Sequence, residues 1–72
     1  MNIKWTKHTA PHGRNRHSAE IGENLSARIY EFVGYVTWYV SNRDEDLAFG
    51  RCQNVFLAKR AVRRAIRNLP SG

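Results

Sequence analysis

The sequence predicts an α+β fold, an antiparallel β-sheet meander of three to five strands with one C-terminal α-helix packed on one face. Three observations carry this expectation. The stretches "LSARIYEFV" (25–33) and "YVTWYVS" (35–41) alternate with the two-residue period of half-buried strands, and Gly34 between them supplies the positive φ of a tight hairpin. By contrast, "NVFLAKRAVRRAIRNL" (54–69) places Ala58, Ala61, Val62, Ala65, Ile66 and Leu69 at i, i+3, i+4, i+7 spacing, one apolar stripe of a helix. Turn-forming residues at 22–24 and 42–46 punctuate the periodic segments.

The elements follow in order. "NIKWTKH" (2–8) alternates Ile3 and Trp5 with polar neighbours, a short strand. "TAPHGRNR" (9–16) mixes Pro, Gly and Asn with cations and reads as a loop. "HSAEIG" (17–22) is a second short strand, ended by Gly22, Glu23 and Asn24. In 25–33, Leu25, Ala27 and Ile29 share one face, with Ser26, Arg28 and Tyr30 on the other. In 35–41, Val36, Trp38 and Val40 turn to the core, leaving Tyr35 and Tyr39 on the opposite face. "NRDED" (42–46) is the most polar turn. "LAFGRC" (47–52) is the last strand, with Leu47 and Phe49 inward and Gly50 marking a bulge or a close approach. Asn54 is the N-cap of the helix, which stops before Pro70, and the alanines of its stripe hold the axis close to a flat sheet.

The chain of 72 residues is one domain, 1–72, with 1–16 a partly flexible basic arm. Its core is small and its stability correspondingly marginal. A lone cysteine, Cys52, excludes an internal disulfide framework and fits a reducing compartment. No apolar run approaches the roughly 18 residues that span a bilayer, and "MNIKWTKHTAPHGRNRH" lacks the apolar core of a secretory signal. The expected location is cytoplasmic, with no membrane partner.

The formal net charge is +6, and its distribution is uneven. Residues 1–20 carry Lys4, Lys7, Arg14 and Arg16 against Glu20, a net of +3. Residues 21–53 carry Arg28, Arg43 and Arg51 against Glu23, Glu31, Asp44, Glu45 and Asp46, a net of −2. Residues 54–72 carry Lys59, Arg60, Arg63, Arg64 and Arg67 unopposed, a net of +5. Cations concentrated on one helix with no acid form a candidate surface for phosphates, with Lys4, Lys7, Arg14 and Arg16 adding a second contact area. A merely solvated helix face is the alternative, but such a face usually mixes signs to gain i,i+4 pairs. Here the like-charge pairs 59–63, 60–64 and 63–67 are unfavourable instead.

Other constellations are weaker. His8, His12 and His17 lack the paired Cys or His partners of a zinc site, so no metal is expected. The carboxylates at 44–46 fit a solvated turn better than a cation loop. Tyr30, Tyr35 and Tyr39, with Phe32, fall on a sheet face that one helix leaves uncovered. They are candidates for a protein interface, self-association into a homodimer included, or for stacking on single-stranded bases beside Arg28. No nucleophile–base set or Gly-rich phosphate loop is present, so neither an enzyme nor a cofactor is expected.

"GRCQNVFLAKRAVRRAIRNL" (50–69) resembles the last strand and second helix of double-stranded RNA-binding domains, through Gly50, Ala58, Lys59, Ala61, Ala65 and Leu69. The paired lysines such domains carry at the helix start fall here at Val55 and Phe56, and the first helix of the domain has no counterpart. The order of strands, a tryptophan near each end of the sheet and a closing "AK…A…A" helix resemble short bacteriophage and prophage proteins, mostly of unassigned function. The arm-binding domains of phage-type integrases share the architecture and place their sheet in the DNA major groove, an analogy of fold alone. The expectation is a small non-enzymatic nucleic-acid-binding protein of phage or mobile-element type, bound to DNA or RNA through the basic helix. The alternative is a protein-interaction module, a phage-encoded inhibitor or adaptor, engaging an acidic host protein through the aromatic sheet face or the helix.

Overall fold

β-branched and aromatic residues in two-residue alternation, cut by short polar turns, leave this chain few options other than consecutive hairpins. The computed structural model describes residues 3–9, 15–43 and 45–69. The strands are β1 (Thr6–Thr9), β2 (Asn15–Ile21), β3 (Leu25–Phe32), β4 (Tyr35–Ser41) and β5 (Asp46–Cys52), followed by the helix α1 (Val55–Arg67). They form one antiparallel sheet in the order β1-β2-β3-β4-β5. The α+β fold class expected from the sequence is the one observed.

The central hairpin closes through Val33 and Gly34, with Phe32 paired to Tyr35 and Gly34 at φ 87°. A positive φ at the second loop position is the requirement that glycine meets without strain. Asn54 adopts extended backbone and its Oδ1 accepts from the Leu57 N–H at 2.9 Å, so the cap satisfies one donor that the first turn leaves free. At the other end the Asn68 N–H donates to the Arg64 and Ala65 carbonyls at 3.1 and 3.2 Å.

The helix lies on one face only. Ala58 packs with Ile29 and Val36, while Val62 and Ile66 pack with Ala27 and Val40, so α1 runs back along the sheet from the Cys52 end toward the Ser41 end. Ile29, Val40 and Val62 are fully buried. His17 is buried on the same side and its Nε2 lies 2.7 Å from Glu31 Oε2, the contact that satisfies its polar edge. Trp5 and Trp38 pack against both halves of this core.

Three sequence expectations need correction. Ile3 and Trp5 precede β1 rather than belonging to it, and both pack on the core, so this part of the basic arm is built into the domain. Residues Asn15 and Arg16 belong to β2 rather than to the preceding loop. Phe49 does not face inward: it is 71% exposed and Leu47 is 36% exposed. The register shifts between Val40 and Ser41, where Val40 pairs with Ala48 and Ser41 with Asp46, leaving Leu47 as the extra residue. That bulge inverts the parity of β5, so Ala48, Gly50 and Cys52 turn toward the helix. Small residues fit there because the Trp38 indole already fills the space.

Gly50 is the tightest of these contacts. A Cβ at this position would sit 2.7 Å from Trp38 Nε1 and 2.8 Å from Cε2 and Cζ2. Alanine would reduce the entropy of the unfolded chain, worth up to ~1 kcal/mol, but a clash with a ring packed on the core outweighs that. Gly50→Ala should destabilise the fold by about 1–3 kcal/mol and lower the thermal midpoint by several degrees in a circular-dichroism melt. A midpoint equal to the parent's would show that the indole yields freely.

Candidate nucleic-acid interface

At about 100° per residue, Lys59, Arg60, Arg63, Arg64 and Arg67 fall within an arc of roughly 140° on α1, opposite the stripe of Ala58, Val62 and Ile66. Since that stripe is pressed on the sheet, the cations point away from it. Arg60, Arg63, Arg64 and Arg67 are exposed, and Lys59 is half-buried with its Nζ 5.8 Å from the centre of the Trp5 ring. Lys59 is therefore the member of the set that also closes the core edge. The ion pairs between described residues, His17–Glu31 and Arg28–Asp46, involve none of the five. Residues 47–69 contain no Asp or Glu. The helix, 13 residues long, presents its charges along about 12 Å, from Lys59 to Arg67, with Arg64 and Arg67 in the last turn, where the helix dipole favours cations.

Arg16 does not join this stripe. In register with Tyr30 on β3, it lies on the opposite, uncovered face of the sheet. Arg14 lies outside the described residues. Lys7, paired with His17, is the N-terminal cation that shares the side of the helix.

The uncovered face gathers Tyr30, Phe32, Tyr35 and Tyr39 as the alternation of β3 and β4 requires, and adds Phe49. Tyr30 and Tyr39 meet edge to face at 5.8 Å, Tyr39 and Phe49 stack at 6.4 Å, and Phe32 and Tyr35 stack at 5.1 Å between ring centres. Arg51 lies with its guanidinium 5.4 Å from the centre of the Tyr35 ring. Arg28 reaches Asp46 at 4.0 Å, both partly exposed, a contact worth little in water. Sequence reading missed Phe49 and Arg51 at this surface, because the bulge that turns them outward leaves no mark in the alternation of β5.

Two further constellations are weaker. Cys52 is half-buried and reduced, on the helix side of β5. Among the described residues no group of three or more His, Cys, Asp or Glu side chains could hold a metal. His12 and Asp44 lie outside them. No described helix is long and apolar enough to cross a membrane.

Thr37, between Tyr30 and Arg51 in the cross-strand register, has its hydroxyl buried without a hydrogen-bond partner. A buried hydroxyl left unpaired costs about 1–3 kcal/mol, and valine fits its shape with a higher strand preference. Thr37→Val should raise stability by about 1 kcal/mol, seen as a thermal midpoint higher by about 4–8 °C. A lower midpoint would mean that the hydroxyl is satisfied after all.

Comparison of the chain with protein-family models, with curated proteins and with solved structures found no match.

Proposed function

We propose that this is a small non-enzymatic nucleic-acid-binding protein, of the kind phages and mobile elements encode, that grips phosphates through the outer face of α1. The observation that carries the reading is the unopposed stripe of Lys59, Arg60, Arg63, Arg64 and Arg67 on the side of the helix facing away from the sheet. An ordinary surface helix spreads both signs and gains from i,i+4 pairs; this one accepts three repulsive pairs. The repulsion is relieved when the partner is a polyanion, whose condensed counterions are released as the cations replace them. Arginines suit this role because the guanidinium fork can hold two phosphate oxygens at once. Contact with phosphates alone carries no sequence information, so binding through this face is of modest specificity.

The test is fluorescence anisotropy of labelled duplex DNA and duplex RNA at several salt concentrations. Affinity should fall steeply with salt, with a logarithmic slope of about −4.5 for duplex DNA if all five cations engage. Arg63→Ala/Arg64→Ala should reduce the magnitude of that slope by about 2, and Arg63→Glu/Arg64→Glu should abolish measurable binding. Anisotropy that stays flat at low salt would sink the reading.

A further inference from the structure

The open face of the sheet combines features that a solvated surface does not need. Five aromatic rings lie on it, Tyr30, Tyr39 and Phe49 in one contact group and Phe32 with Tyr35 in another, and Phe49 stands 71% exposed. The charges set among the rings are arginines. One cross-strand row runs His8, Arg16, Tyr30, Thr37, Arg51, and the next runs Thr6, Ser18, Arg28, Tyr39, Phe49. The carboxylates of this face come one row further on, where Glu20 and Asp46 flank Ser26 and Ser41. Beside Arg16 a recess of about 420 Å³ opens between His8, Tyr30 and Phe32, with Glu31, held by His17, also on its wall. We propose that this face is a second nucleic-acid site, which takes single strands by stacking unpaired bases on Phe49, Tyr39 and the Phe32–Tyr35 pair while Arg16 and Arg51 hold the phosphates.

The chemistry selects this occupant over a second copy of the chain. Rings supply faces for any base, and cations beside them meet the backbone that links successive bases, the combination used by platforms for single strands. A duplex keeps its bases stacked within itself and offers nothing to the rings. In a face-to-face dimer Arg16 and Arg51 of both copies would be buried, and neither is in an ion pair among the described residues; a buried unpaired charge is costly. The inference rests on the proposed function for the class of ligand only, since the site lies on the face opposite the helix stripe.

The experiment uses the full chain and a single-stranded oligonucleotide carrying 2-aminopurine, whose fluorescence falls when it stacks, with an unlabelled-base duplex followed by anisotropy in parallel. Binding should quench the probe. Phe49→Ala should weaken single-strand affinity by on the order of tenfold with duplex affinity unchanged, and Phe49→Tyr, which keeps the ring, should restore the quench. Arg16→Ala/Arg51→Ala should reduce the salt slope for single strands by about 1.4. Because Phe49 and Arg51 are exposed, these variants are expected to melt like the parent. Duplex binding with no quench, or a quench that Phe49→Ala leaves intact, overturns this inference and spares the helix reading. Loss of all nucleic-acid binding overturns both. A dimer in sedimentation that Phe49→Ala converts to monomer would assign the face to a second copy and overturn the inference too.

Discussion

The close seat of α1 on the sheet governs everything else in this domain. Ala58, Val62 and Ile66 press on Ala27, Ile29, Val36 and Val40, and small side chains on both sides keep the two layers near each other. The described residues supply one helix to five strands, and it covers one face of the sheet and leaves the other open. The same geometry fixes the direction of the charges: with the apolar stripe held down, the cations of the remaining arc can only point outward. The Trp38 indole completes the layer by filling the space over β5 where Gly50 leaves room. The two candidate surfaces are consequences of that one packing arrangement.

How much of this was legible beforehand depends on how much signal each element repeats. The helix and the β3–β4 hairpin were readable because each carries several turns or alternations of one period, bounded by Asn54 and Gly34. Strand β4 falls where the alternation put it, Tyr35–Ser41, with Val36 and Val40 in the core. The last strand misled because hydrophobicity favours Leu47 and Phe49 over Ala48 and Cys52, whereas the available volume favours the reverse. A bulge is a one-residue event that depends on the pairing partner, so no local pattern announces it. The same holds for Asn15 and Arg16, polar residues drawn into β2 by their ladder with β1 and β3.

The site was legible to a similar degree. Five cations at helical spacing with no acid among them could be grouped from the sequence, and so could Tyr35 and Tyr39 from the parity of β4. Arg16 could be assigned to a second contact area apart from the helix, but only strand pairing shows that it neighbours Tyr30. Arg51 and Phe49 could have been placed only by noticing that Gly50 must meet the large side chain at Trp38, its partner across the hairpin, which fixes the parity of everything around it.

The two surfaces are electrostatically separate, which is why they can be assigned different roles. The molecule is 20 Å across its thinnest dimension, more than two Debye lengths at physiological ionic strength, about 8 Å each. Arginines on the helix therefore add little to the potential felt by a strand lying on the open face, and the reverse holds. Each surface also carries its own cost in a marginally stable domain: like-charge pairs of a few tenths of a kcal/mol along the helix, and exposed aromatic area on the sheet. Neither cost offsets the other through any contact within the chain, because the core lies between them. Under the two proposals, a polyanion along the helix would relieve the first, and bases laid on the rings would relieve the second.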